Sequence, residues 1–128
     1  MVISVIGGFA SEIPVAIAQS YAAGSSAAGG EDGKALFAKC AACHALTPGH
    51  NGRGPTLYHI FGRKAGAVPG YDYSFAMKRA EVVWRQNTLA QFITNPQRVV
   101  PGTTMKFSIS ENSQQIEALL DYLRTVTR

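Results

Sequence analysis

The sequence predicts an all-α domain of short helices joined by long loops. Two observations support this prediction. Apolar residues recur at helical spacing near the C-terminus, and no two stretches pair as convincing β-strands. Loops as long as those between the predicted helices normally lack a core on which to rest. We therefore expect a large, flat, apolar group to complete the core.

Residues 1–30 are apolar and almost uncharged, and we expect no packed core there. Glu12 is the only charged side chain before Glu31, and residues 20–30 are rich in Ala, Gly and Ser. No Lys or Arg precedes the apolar runs, which are also short for a membrane span. Three interpretations remain open: an export signal, the remnant of a membrane anchor, or a flexible linker. The folded domain is predicted to span residues 31–128.

The first predicted helix starts near Glu31 and runs to Cys40. Acidic residues in its first turn interact favourably with the helix dipole, and apolar residues line one side. Gly33 lies inside this helix, where glycine costs about 1 kcal/mol relative to alanine. The close approach of another helix is the expected reason.

Three further helices are predicted, separated by loops rich in Gly and Pro. Asn87 and Thr88 are expected to cap the middle one, which ends before Asn95 and Pro96. The last helix follows a cap at Asn112 or Ser113 and has one apolar face. The predicted bounds are residues 76–79, 89–94 and 114–126, with an extended loop over residues 99–110.

The most informative stretch is Cys40-Ala41-Ala42-Cys43-His44. Thiols at i and i+3 lie on the same side of a helical turn, so both can reach the two vinyl groups of one porphyrin edge. His44 follows directly and can then ligate the iron from one face. This spacing is the attachment signature of a c-type haem. Cys40 and Cys43 are the only cysteines in the chain, so no other pair is available.

Two other kinds of site use the same cysteine spacing. A redox disulfide of the thioredoxin type expects a preceding strand and a βαβ pattern, and neither is visible. A zinc site needs two ligands besides the cysteines. Only His50 and His59 could join His44 without a second cysteine pair.

The charge pattern indicates the kind of partner. The chain has 12 Lys and Arg against 8 Asp and Glu, a formal net charge of +4, and all of these cations lie from Lys34 onward. Such an excess favours encounter with acidic protein surfaces or anionic lipid headgroups. It is too small and too scattered to indicate nucleic acid.

Further motifs follow the cysteine pair in a characteristic order. They are Gly54-Pro55, Trp84, Asn95-Pro96 and Pro101-Gly102-Thr103-x-Met105. With them the chain resembles a class I cytochrome c, most closely the branch of mitochondrial cytochrome c and bacterial cytochrome c2. The resemblance covers residues 33–123. It implies a small all-α fold in which three to five helices and long loops wrap around one covalently attached haem c.

The resemblance also implies a role for each matching residue. Cys40 and Cys43 would carry the haem through thioether bonds. His44 and Met105 would ligate the iron, and the carbonyl of Pro55 would accept a hydrogen bond from the imidazole. Positions near the haem propionates are matched by Arg63, Tyr73, Ser74 and Trp84. An aromatic residue beside the exposed haem edge is matched by Phe107, and the contact between the first and last helices by Gly33, Phe37 and Tyr122.

The chain departs from the family at several positions near the haem. Phe92 and Met77 stand where the family usually has tyrosine and asparagine, which removes two polar partners. Thr104 and Gln97 replace lysines that are common around the haem edge. Of that ring Lys39 and Arg98 remain, with Lys34 as a further candidate and Lys106 nearby. We therefore expect a docking surface that is basic but weaker than usual.

The function implied by the resemblance is single-haem electron transfer, without enzymatic activity. The carrier would shuttle one electron between a quinol-oxidising complex and a terminal oxidase or photosynthetic reaction centre, docking as a monomer on acidic faces. We expect it in the periplasm, soluble or anchored through residues 1–30, with the mitochondrial intermembrane space as the second choice. The alternatives are a membrane-tethered relay and a haem enzyme with an open sixth position. Because the segment around Pro101 and Gly102 has no predicted helix, we expect it to be held through the iron.

Overall fold

The computed structural model describes residues 30–128, and this part of the chain is all-α. It contains five helices and no β-strand, only two isolated bridges that pair His44 with Asn51 and Lys64 with Val83. The predicted fold class is confirmed. The interpretations of residues 1–30 concern residues outside the described part, except that Gly30 is already helical. The helices are α1 (residues 30–41), α2 (Phe75–Arg79), α3 (Gln86–Thr94), α4 (Pro96–Val99) and α5 (Ser113–Val126).

The close crossing of α1 and α5 depends on Gly33. A Cβ atom at this position would overlap the carbonyl oxygen of Ala118 and lie 2.7 Å from the Cβ of Tyr122. One turn along α1, the ring of Phe37 packs against Tyr122 with its centroid 5.8 Å away. Glycine therefore occupies a helix interior here because no side chain fits, as expected.

The last helix has a reciprocal cap at its start. The side-chain oxygen of Asn112 accepts a hydrogen bond from the backbone N–H of Gln115 at 2.9 Å, and the Gln115 amide oxygen accepts from Asn112 N–H at 3.2 Å. The two bonds satisfy donors that a helix start otherwise leaves free. α5 then buries Leu119 and Leu120 almost completely. Of the two predicted caps, Asn112 is the one used.

The start of α3 differs from the prediction. The helix begins at Gln86, and Thr88 lies inside its first turn, where its Oγ1 accepts a hydrogen bond from Arg85 N–H at 2.8 Å. The prediction that Asn87 and Thr88 precede the helix was wrong. A threonine can cap from the third helical position as well as from the position before the helix, so the sequence alone left the start ambiguous. The predicted end at Thr94 is confirmed.

The one-turn helix α4 was not predicted. Asn95 ends α3 and caps α4, because its side-chain oxygen accepts from Arg98 N–H at 3.1 Å. Pro96 occupies the first turn of α4, where the missing N–H costs nothing. A four-residue helix is too short to produce a periodic apolar pattern. The sequence therefore indicated only that the preceding helix ends before Asn95, and not that another helix begins there.

The core lies where α1, α3 and α5 meet the loops. Within it the rings of Trp84 and Phe92 pack together, with centroids 4.9 Å apart. Within residues 30–128, no helix combines the length and hydropathy that a membrane crossing requires. The buried apolar residues are Leu36, Phe37, Ile60, Ala65, Val68, Met77, Trp84, Leu89, Phe92, Val100, Ile109, Leu119, Leu120 and Leu123.

Two glycines of α1 allow a matched test of the crossing. Gly33→Ala would force a methyl group into the backbone of α5, and overpacking of this kind costs about 1–3 kcal/mol. Gly30→Ala introduces the same group where nothing lies within 4 Å. We expect Gly33→Ala to lower the free energy of unfolding by that amount and Gly30→Ala to leave it equal or slightly raised. Denaturant unfolding followed by far-UV circular dichroism measures both, and equal effects would contradict the crossing.

Candidate haem site

The cysteine pair lies on the turn that ends α1. The backbone N–H groups of Cys43 and His44 both donate to the carbonyl oxygen of Cys40, at 3.0 and 2.9 Å. Both thiols are free. Burial raises the pKa of the Cys40 thiol, and the neighbouring Cys43 adds to this effect. Cys40 therefore remains a thiol at neutral pH, and the turn presents two unpaired sulfur atoms followed directly by an imidazole.

The imidazole of His44 is held in one tautomer. Its Nδ1 lies 2.7 Å from the carbonyl oxygen of Pro55. Because a carbonyl only accepts, we assign the proton to Nδ1, which leaves the lone pair of Nε2 free to bind a metal. Burial is the main cause that lowers the pKa of His44, so the ring is neutral at neutral pH. The contact with Pro55 is the one that the resemblance implied.

Gly54 leaves the space that the imidazole occupies. A Cβ atom at this position would overlap the His44 ring and lie 2.7 Å from both ring nitrogens. The backbone of Gly54 donates to the carbonyl oxygen of Cys43 at 2.9 Å and accepts from Gly52 N–H at 3.0 Å. The loop is thus bonded to the turn that carries the cysteines. The sequence singled out Gly54 only as part of a motif, and this contact was not predicted.

Arg63 carries a buried donor without a partner. Its Nη1 donates to the carbonyl oxygen of Tyr58 at 2.8 Å, and its Nη2 donates to that of Thr56 at 2.9 Å. Its Nε is buried and makes no hydrogen bond within the described residues. Burial also lowers the pKa of the guanidinium. Buried polar groups are almost always paired, so this N–H indicates a missing acceptor.

Tyr73 borders the same region. A cavity of about 340 Å³ is lined by Arg63 and Val68 among others, and the hydroxyl of Tyr73 accepts a hydrogen bond from Val68 N–H at 3.0 Å. Burial raises the pKa of Tyr73, although the nearby guanidinium of Arg63 opposes this, so the phenol keeps a proton that it can donate. Ser74 uses its oxygen differently: it accepts from Met77 N–H at 3.1 Å and caps α2.

Trp84 is joined to Arg63 through the backbone. The N–H of Trp84 donates to the carbonyl oxygen of Arg63 at 2.9 Å, and the indole is 5% exposed. Met77 and Phe92, which stand where the resemblance expects polar residues, are both buried in the hydrophobic core. The two positions that the sequence predicted to lack a polar group are thus apolar and buried.

The loop that carries Met105 is held by Gln97. The side-chain amide of Gln97 donates to the carbonyl oxygen of Thr103 at 2.8 Å, and its oxygen accepts from Gly102 N–H at 3.0 Å. Met105 itself is half-buried and packs against the core. The protein itself therefore also holds this loop, and its attachment through the iron stays a prediction. Gln97 was noted only as the replacement of a lysine, because a contact between side chain and loop leaves no periodic signal in the sequence.

The two alternative sites find no support within residues 30–128. No three His, Cys, Asp or Glu side chains come together there to hold a metal ion. His50 and His59 are both exposed, and the Nδ1 of His50 lies 3.4 Å from the carbonyl oxygen of Pro48. No strand precedes the cysteine pair in the described part, as a thioredoxin-like site would need.

The donor set fits a haem. It combines two free thiols, a neutral imidazole with an available Nε2, and a buried guanidinium N–H that lacks an acceptor such as a propionate. The family model of cytochrome c matches residues 30–127. This chain belongs to the cytochrome c family. As a cytochrome c it carries one covalently attached haem c and serves as a haem electron carrier.

Individual relatives agree with the family match. Cytochrome c2 of Rhodoblastus acidophilus is 43% identical over 92 residues, which cover 71% of this chain and 86% of the relative. Cytochrome c type-1 of Ascaris suum is 42% identical over 94 residues, or 73% of this chain and 84% of the relative. The solved structure of cytochrome cH from Methylobacterium extorquens has a TM-score of 0.68 and 37% identity, and the match covers 75% of this chain and 97% of that one.

Fewer of the cations expected around the haem edge are free than the sequence suggests. Lys39 forms an ion pair with Glu111, and this hydrogen bond lowers the pKa of the carboxyl, which stays ionised at neutral pH. Arg98 and Lys106 are exposed and make no ion pair within the described residues. Phe107 is exposed, at 46%, and its place beside the haem edge stays a prediction.

Proposed function

We propose that this cytochrome c accepts one electron from a quinol-oxidising complex and delivers it to a terminal oxidase or a photosynthetic reaction centre. The observation that carries the proposal is the oriented imidazole of His44, whose Nε2 is free to bind iron. His44 directly follows Cys43 in the sequence, and both Cys40 and Cys43 have free thiols. The haem, when bound, supplies an iron that accepts and releases a single electron. The protein contributes attachment, axial ligation, a dry pocket and a docking surface.

Each residue of the site has a place in this proposal. Cys40 and Cys43 would hold the porphyrin covalently at the end of α1. His44 would ligate the iron through Nε2, with the proton on Nδ1 directed to Pro55. Met105 would supply a thioether, a soft ligand that stabilises reduced iron and raises the reduction potential.

The propionates would be held at the cavity beside Arg63. Its unpartnered Nε would donate to a propionate oxygen, and the phenol of Tyr73 would donate a second hydrogen bond. Ser74 and Trp84 complete this side, Trp84 mainly by excluding water. Phe107 would cover part of the exposed haem edge.

The carrier is favoured over a haem enzyme because of the loop that bears Met105. An enzyme needs an open sixth position for its substrate, which a bound thioether blocks. Gln97 makes hydrogen bonds to Gly102 and Thr103 of this loop. The loop that presents Met105 is therefore ordered by the protein and does not depend on the iron alone. A membrane-tethered relay would depend on residues outside the described part. Cell fractionation tests it, because a tethered relay sediments with the membranes whereas a diffusible carrier stays in the soluble fraction.

The proposed location is the periplasm, and the proposed partners present acidic faces to a monomer. Support for the location comes from the bacterial relatives named cytochrome c2. Support for the partners comes from the formal net charge of +4 and from the exposed Arg98 and Lys106. Charge complementarity of this kind raises the rate of encounter more than the final affinity.

Replacement of Met105 tests the proposal directly. In the oxidised protein, Met105→Ala should remove the weak far-red absorption band of thioether-ligated haem, lower the reduction potential and allow carbon monoxide to bind the reduced form. Met77→Leu is the matched control, because Met77 is buried in the core and has no proposed ligand role. It should keep the band and exclude carbon monoxide. If Met105→Ala retained both the band and the potential, another residue would be the ligand and the proposed carrier would lose its main support.

Glu111→Gln tests the contribution of charge to docking. Loss of this carboxylate frees Lys39 and adds one positive charge to the proposed docking surface. We expect oxidation by a purified cytochrome c oxidase to become faster at low ionic strength and to depend more steeply on salt than in the unmodified protein. The two rates should converge as the Debye length shortens to about 3 Å near 1 M salt. Identical rates at every salt concentration would show that Lys39 lies outside the docking surface.

A further inference from the structure

Phe75 is an exposed aromatic residue that the proposed function does not use. Its side chain is 72% exposed, which exceeds the 46% of Phe107 beside the haem edge. Single exposed apolar residues are ordinary. Phe75 is unusual because its ring is held in place: the guanidinium of Arg79 lies 5.0 Å from the ring centroid, one turn further along α2.

The helix that carries this pair is itself well fixed. Ser74 caps its start, and Met77 inserts into the core on the opposite side from solvent. The side chains of Phe75 and Arg79 are therefore presented outward on a rigid turn. A contact group that is ordered before binding loses little conformational entropy when a partner covers it.

Phe75 lies next to the loop that carries Met105. A Cβ atom at Gly102 would be only 3.1 Å from the Cβ of Ala76, so α2 packs directly against this loop. Gln97 of α4 holds the same glycine through its N–H. The loop thus joins α2 to α4, and a partner seated beside the loop would reach the exposed ring.

The charges near this pair favour a protein partner over a lipid surface. Arg79 makes no ion pair within the described residues, whereas Lys78 lies 3.7 Å from the exposed Asp72 and Lys64 lies 3.7 Å from the exposed Glu81. An anionic bilayer attracts clusters of unopposed cations, and these two carboxylates would be repelled by it. Aromatic residues, phenylalanine included, and arginine are instead enriched in protein–protein interfaces.

The proposed docking surface has fewer free cations than the resemblance to cytochromes c implies. Thr104 and Gln97 are uncharged, and Lys39 is paired with Glu111. We propose that Phe75 and Arg79 form the apolar anchor of the docking surface, with the ring entering an apolar pocket of an acidic redox partner whose rim supplies a carboxylate to Arg79. This inference rests on the proposed electron-carrier function and names the contact that replaces part of its electrostatic docking.

Steady-state oxidation by a purified cytochrome c oxidase and reduction by a purified quinol-oxidising complex test this anchor. Phe75→Ala should raise the KM for at least one of them by about fivefold or more, a larger loss than truncation of most interface residues causes, with kcat unchanged. The rise should be similar at low and high ionic strength, because an apolar contact is not screened. Phe75→Leu should recover part of the loss. The reduction potential, the absorption spectrum and the midpoint of thermal unfolding should stay as in the unmodified protein, since the side chain is exposed.

Arg79→Gln has a matched control elsewhere on the molecule. Arg124 stacks on Phe61 at 4.7 Å from the ring centroid, so Arg124→Gln removes the same charge and the same kind of aromatic contact. Arg79→Gln should raise the KM more strongly at low than at high ionic strength. Arg124→Gln should change the KM by less than about twofold, because it removes a surface charge that lies outside the proposed anchor.

Three outcomes would overturn the inference. If Phe75→Ala and Phe75→Leu leave the KM for both complexes unchanged while the unmodified protein is turned over, the anchor is wrong and the carrier function stands. If Phe75→Ala instead abolishes sedimentation with phosphatidylglycerol vesicles and leaves both KM values unchanged, the ring contacts lipid. If neither complex turns over the unmodified protein, the proposed function is wrong and the anchor falls with it.

Discussion

The hydrogen bond between the His44 imidazole and the Pro55 carbonyl is the contact on which the rest of the site depends. It sets the tautomer, so Nε2 is available as a ligand, and it joins the end of α1 to a loop that has no regular structure of its own. Gly54 makes the contact sterically feasible because any side chain there would meet the ring. Backbone atoms and the lack of a side chain at Gly54 thus orient a neutral imidazole, and among the described residues its ring hydrogen-bonds to no other ionisable group.

The long loops are held by single polar side chains that bond to backbone atoms. Arg63 donates to the carbonyls of Thr56 and Tyr58 and still has one buried N–H without a partner among the described residues. Gln97 bonds to two successive residues of the loop before Met105. Such bonds order a chain that lacks helices, and they leave the site prepared for its cofactor. The same preparation suits electron transfer, because a carrier that changes shape little between its oxidised and reduced states exchanges electrons readily.

The sequence predicted those features that depend on local spacing or on residue type. The cap at Asn112, the glycine at the helix crossing and the contact of His44 with Pro55 were all found as expected, the last two with the help of the resemblance to cytochromes c. Features that depend on distant contacts were missed. Lys39 and Glu111 are 72 positions apart, and no pattern in the chain indicates that they pair. The roles of Gly54 and Gln97 likewise became visible only when the loops were placed against the residues they contact.

The central claim is that Cys40 and Cys43 both hold the haem covalently beside an axial His44. The most direct test is the intact mass of the denatured protein, produced together with haem-attachment machinery. The account predicts a mass higher than that of the polypeptide by one haem, a colour that stays with the denatured chain, and loss of both when Cys40 and Cys43 are replaced by serine. Haem that extracts into acidified organic solvent, leaving a polypeptide of unmodified mass, would contradict it.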